Sequence, residues 1–163
     1  ETLKALVRAY EADGNADKVI VDSAKPSAAK YQTPVVLGDG SVSSGVATFG
    51  TDTINTLSRL IETLSHELGH YAVESPGKVI ANARAAAVAA VQAAAAAGDA
   101  QARRDAATDY GAACHLTEGY ARLDTARIID EIVANGGLSS TDGNWPRGED
   151  KAYKEYKEYK ALE

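Results

Sequence analysis

The stretch "GTDTINTLSRLIETLSHELGHYAV", residues 50–73, constrains this chain more than any other part of it. Ile54, Leu57, Leu60, Ile61, Leu64 and Leu68 recur at helical spacing and, at about 100° per residue, form one apolar stripe. Thr51 or Asp52 is placed to cap the start of such a helix, and Ser75-Pro76-Gly77 to end it. Two of the three histidines, His66 and His70, fall roughly opposite the stripe, on a face shared with Asn55, Arg59 and Thr63. Residues four apart on a helix are neighbours on one face. The two imidazoles can therefore meet a single ion, and Glu67 between them is placed to handle a proton beside it. Gly69 leaves room for another backbone to pass closely.

The rest of the chain reads as a mixed α+β fold. "ETLKALVRAYEAD" places Leu3, Leu6, Val7 and Tyr10 on one side of a helix that closes near Gly14. "KVIVD" reads as a short strand, and Pro26 lies in a loop. "TPVVLGDGSVSSGVATFG" predicts a hairpin: Val35, Val36 and Leu37, a "GDG" turn, then a returning strand through Val46 and Phe49. Residues 78–113 are dominated by alanine and broken at Gly98-Asp99, which predicts a helical hairpin inserted in the domain. "CHLTEGYARLDTARIIDEIVANGG" predicts another helix, with Leu116, Leu123, Ile128, Ile129 and Ile132 in the core and Gly136 as a stop. A loop and a closing helix with Tyr153, Tyr156, Tyr159 and Leu162 complete the reading.

With 163 residues and no internal boundary, residues 1–163 are expected to form one domain. Glu1 opens a chain with no methionine, so a domain cut from a longer protein, or a processed form, is expected. The net charge of -6 argues against a nucleic-acid partner, and "KAYKEYKEYK" interleaves its lysines with glutamates instead of forming a basic patch. The run from Ala81 to Ala97 holds Asn82, Arg84 and Gln92 and lacks Leu and Phe, so no membrane span is expected. Cys114 is the only cysteine, so no intrachain disulfide can form.

A catalytic zinc usually has three protein ligands and one open position. His115, Glu118, Asp124 and Glu131 on the later helix all qualify as the third ligand. "HELGH" followed by "TEGYA", with residues 71–117 between His70 and Glu118, resembles the gluzincin branch of the zincin metallopeptidases. That resemblance implies a zincin-like fold, with a small antiparallel or mixed sheet on an active-site helix and a mainly helical second half. It implies a Zn²⁺ held by His66, His70 and Glu118, with Glu67 as general base and acid. His115 is the rival ligand; with Glu118 in that role, His115 is free to hydrogen-bond an oxyanion, as are Tyr120, Tyr110 and Tyr71. Thermolysin-like enzymes carry an Asp four residues after the ligand Glu, whereas this chain has Arg122 there; Asp124 points elsewhere.

The implied activity is zinc-dependent hydrolysis of a protein or peptide substrate. The strand "SGVATFG" is expected to hold that substrate by strand addition. A zinc amidase acting on cell-wall peptides and a non-catalytic zincin-like binding domain are the alternatives. In general character the chain looks like the toxic tip of a bacterial effector delivered by a secretion system. An immunity protein blocking the cleft is the partner such a setting implies.

Overall fold

The structure, a computed structural model, describes residues 1–15, 18–32, 45–74 and 78–137. Helix α1 spans Thr2–Tyr10 and turns Leu3, Leu6 and Val7 towards the core. A wide turn over Glu11–Asn15 follows, in which Gly14 takes a φ of 74°. Three strands then form, β1 at Val19–Asp22, β2 at Ala29–Gln32 and β3 at Val46–Gly50. Their order is β1-β3-β2, with β3 parallel to β1 and antiparallel to β2. Helices α2 (Leu57–Glu74), α3 (Val79–Ala96) and α4 (Ala100–Ala134) complete an α+β architecture with a small mixed sheet.

The returning strand of the expected hairpin is β3, but its antiparallel partner is Ala29–Gln32. Val35, Val36 and Leu37 lie outside the described residues, as do the closing helix and its tyrosines. β2 is a half-buried strand: Ala29 and Tyr31 face inward while Lys30 and Gln32 face out. Two of its four residues are polar, so it makes a weak apolar signal beside the stronger run that follows. A second difference concerns the substrate strand. β3 is hydrogen-bonded on both sides, so among the described residues the sheet edges belong to β1 and β2.

The core sits between α1, the sheet and α2, and comprises Tyr10, Ala47, Phe49, Leu68 and Tyr71. Its hydroxyls are satisfied locally. Tyr10 accepts the N–H of Ala47 at 3.3 Å and donates to the carbonyl of Lys18 at 3.1 Å. Tyr71 donates to the carbonyl of Ala9 at 3.0 Å. The two rings meet edge to face with centroids 5.1 Å apart.

α2 begins later than the expected Thr51 or Asp52 cap. Thr51–Thr53 forms a 3-10 turn, and the Thr56 hydroxyl accepts the N–H of Arg59 at 3.3 Å to cap the helix. Its apolar stripe is also not uniformly inward. Leu68 is 2% exposed, but Leu57 is 58% exposed. A second buried strip runs through Ser58, Ser65 and Gly69. A Cβ on Gly69 would stand 2.8 Å from the Cα of Ala121, so α4 crosses α2 there at a distance only glycine allows.

The Ala-rich segment does form a helical hairpin. α3 ends with Gly98 at φ 70°, and the N–H groups of Gly98 and Asp99 return to the carbonyls of Ala95 and Ala94. Asp99 then starts α4, accepting from Gln101 and Ala102 at 3.0 and 2.9 Å. No residue after Asp99 breaks the chain until Asn135, so α4 runs for 35 residues and absorbs the helix expected to begin near Cys114. Gly136 ends it at φ 70° with the same bonding, Gly136 to Val133 and Gly137 to Ile132.

Ile128 and Ile129 are buried as expected, whereas Leu116 and Leu123 are exposed. The buried face of α4 is made instead of Ala106, Ala113, Thr117, Ala121 and Thr125. Closely packed helices admit small side chains at their seam, and the two threonines satisfy their hydroxyls on the carbonyls of Ala113 and Ala121. Among the described residues no helix is long and apolar enough to cross a membrane.

The crossing makes a prediction about two glycines. Gly69→Ala forces α2 and α4 apart and is expected to destabilise by about 1–3 kcal/mol. Gly111 lies in α4 with open space where a Cβ would go. Gly111→Ala is expected to stabilise by about 0.5–1 kcal/mol. Urea midpoints should move in opposite directions; equal shifts would contradict the close crossing.

Candidate metal centre

Helical spacing sets His66 and His70 one turn apart on α2, and the Gly69 crossing brings Glu118 of α4 over them. The Nε2 atoms of the two histidines are 3.2 Å apart. The Glu118 oxygens stand 3.7 Å from Nε2 of His66 and 3.5 Å from Nε2 of His70. Donors about 2.0–2.1 Å from a tetrahedral Zn²⁺ are separated from one another by roughly 3.3 Å. The three observed separations bracket that value. The donor set, two imidazoles and one carboxylate, is also the type that zinc takes in catalytic sites. These residues therefore fit a metal ion.

Two further side chains hold the donors. His70 turns Nδ1 towards Oε1 of Glu74, 3.4 Å away, which leaves its Nε2 facing the other donors. Arg122 holds Oε1 of Glu118 through Nε at 2.8 Å. Arg122 stands where the family resemblance expects an aspartate, and the carboxylate serving a histidine comes from α2 itself. Asp124 takes no part in the cluster, and burial pushes its carboxyl up against the opposing pull of Arg127.

The electrostatics follow from burial and crowding. Burial and the neighbouring His70 push the His66 imidazole down, against the pull of Glu118. Burial would lower His70 too, but Glu74, with Glu67 and Glu118, outweighs it and holds His70 up. Glu118 is held below the usual carboxylate range because Arg122 and the two histidines overcome its partial burial. Glu67 is 4% exposed. Burial raises it to about 7, with Glu118 and Glu74 adding to the rise and His70 and the Tyr31 backbone amide opposing it. Three carboxylates gathered around two imidazoles make a place where a cation is favoured.

The donors His66 and Glu118, with Glu67, line a cleft of about 600 Å³. Ser27 and Ala29 form one wall, Asp52 and Thr53 lie at the turn before α2, and Arg122 to Ile129 of α4 form the opposite wall. His115 and Tyr120 were candidates for the site, but both are exposed on α4 and neither lines the cleft. Tyr110 packs on Arg84, and Tyr71 is bonded within the core. The sequence reading passed over Glu74 and Arg84. Glu74 had a signal, since it lies four residues after His70; so did Arg84, the one charged residue of α3. Comparison with known proteins finds no matching family, no similar curated protein and no similar solved structure.

The geometry predicts about one Zn²⁺ per chain by mass spectrometry. His66→Ala, His70→Ala and Glu118→Ala should each lose it, and His115→Ala should keep it. Zinc in hundredfold excess over its Kd should stabilise the fold by about 2.7 kcal/mol, and a chelator should reverse the rise in Tm. Zinc retained by Glu118→Ala would move the third ligand elsewhere.

Proposed function

We propose that this chain is a zinc-dependent metallopeptidase of the gluzincin type, with a zincin-like fold. The observation that carries this reading is Glu67, a buried carboxylate held on the cleft wall beside three converging metal donors. His66, His70 and Glu118 would hold a Zn²⁺, which would supply Lewis acidity to a water and a substrate carbonyl.

Glu67 does the proton work. Its carboxylate takes a proton from the attacking water and delivers it to the leaving amine. Its burial, beside two further carboxylates, favours holding that proton in between. Arg122, anchored through Glu118 and lining the cleft, is a cation that could meet the negative charge developing on the substrate oxygen. It takes the part first considered for His115 and Tyr120.

The substrate strand in this proposal is β2 in place of β3. Among the described residues β2 is a sheet edge, and Ala29 within it and Ser27 before it line the cleft. An extended peptide adding to that edge would pass the metal donors with its main chain hydrogen-bonded.

Glu67→Gln is expected to keep zinc and to lower cleavage of a peptide library by about 10²- to 10⁴-fold. The assay is mass spectrometry of library digests by zinc-loaded protein, with and without chelator. Cleavage by Glu67→Gln at the wild-type rate, or no cleavage by fully loaded wild type, would sink the peptidase reading.

A further inference from the structure

Arg84 stands in a helix otherwise made of alanine, valine, isoleucine, asparagine and glutamine. Its Nη1 lies 2.7 Å from Oε2 of Glu74. The other oxygen of that carboxylate faces Nδ1 of His70, and Nε2 of the same ring is a converging metal donor. Glu74 is only 7% exposed. Arg84 is also held from α4, where its guanidinium carbon sits 5.7 Å from the centre of the Tyr110 ring. One line of contacts thus runs from α4 through α3 into the α2 donor: Tyr110, Arg84, Glu74, His70.

We propose that Arg84 is a positioning residue for the metal, acting through Glu74 on the His70 imidazole, so that the Ala-rich hairpin sets how tightly the ion is held. The proposal rests on the metal site described above and adds to it a determinant on a different helix. A carboxylate on the outer nitrogen of a ligating imidazole fixes its tautomer and its ring orientation. A buried carboxylate keeps its own place when a cation is paired with it. Arg84 supplies that cation in a geometry that leaves the second oxygen for His70.

The alanines of the hairpin make this reach possible. Ile80, Ala87 and Ala94 are buried at intervals of seven along α3, and Ala106 and Ala113 are buried on α4. Small side chains let the two helices lie close, so a single arginine on α3 is gripped between a ring on α4 and a carboxylate on α2.

The test is zinc affinity, measured by competition with a chromophoric chelator, so that it needs no substrate. Arg84→Ala should weaken zinc binding by about tenfold to hundredfold. Arg84→Lys, which keeps the charge, should recover most of the loss. Adding Arg84→Ala to Glu74→Gln should change little, because the path through Glu74 is already broken. Arg104→Ala at the tip of the hairpin should match wild type. Cobalt spectra of Arg84→Ala should keep the wild-type band pattern, showing the same three donors. Far-UV circular dichroism of the metal-free variants checks the fold; if Arg84→Ala does not fold, Glu74→Gln and Arg84→Lys carry the test. Wild-type affinity in Arg84→Ala or in Glu74→Gln, or an equal loss from Arg84→Ala in both backgrounds, would overturn the proposal while leaving the metal site standing. No zinc binding by wild type would overturn both.

Discussion

At Gly69 the backbones of α2 and α4 come so close that a Cβ would lie 2.8 Å from the Cα of Ala121. Everything at the candidate centre depends on that crossing. Gly69 lies one residue before His70, and Ala121 three residues after Glu118 on the facing helix, so the crossing fixes how far Glu118 reaches over the histidines. A larger residue at either position would separate the helices, and the Glu118 oxygens, now 3.7 and 3.5 Å from the two histidine nitrogens, would draw away from them. The same closeness explains why the buried face of α4 is alanine and threonine. Two backbones cannot approach this closely with leucines between them.

Electrostatics forms the second layer. Each acid of the cluster has its own counterweight: Glu118 has Arg122, Glu74 has Arg84, and Glu67 has His70 and then the Tyr31 backbone amide opposing its burial. Glu67 is raised to about 7, where Glu118 is held below the usual carboxylate range, and it lines the cleft. The two carboxylates that touch histidine are the two held by arginine. That division of labour among three nearby glutamates separates groups suited to positioning from one suited to exchanging a proton.

Much of the fold was legible because its signals are local. The leucine spacing of α1, the apolar run of β1, the Gly98-Asp99 break and the Gly136 stop each report on a few neighbouring residues. What was missed depends on a partner. Leu116 and Leu123 look like core residues until a second helix packs too closely to admit them. β2 has too little apolar content to stand out before β3 pairs with it. His66, Glu67, His70 and Glu118 were visible as residue types at workable spacing. His115, three residues before Glu118, and Tyr120, a phenol two residues after it, are candidates by spacing and residue type, yet both are exposed on α4. At about 100° per residue Tyr120 is more than half a turn round from Glu118, and His115 is almost one turn back, at the exposed side.

Two imidazole nitrogens 3.2 Å apart with a carboxylate beside them are not a restful arrangement for a fold without an ion. The histidines can share one proton, but the acids crowd behind them, and burial keeps Glu67 raised to about 7 against the pull of His70 and the Tyr31 backbone amide. Stability alone would favour replacing these groups with apolar side chains of similar size. Their presence makes sense if binding energy from a cation offsets the strain, since an ion that binds only the folded state stabilises it. The arginines fit the same logic. By neutralising Glu74 and Glu118 from behind they let the donors keep their positions without an ion, so an ion would meet a site already shaped. The local cost of the cluster and its capacity for chemistry then have one cause: charged groups are held close together, partly out of water, by helices that cross too tightly to let them relax.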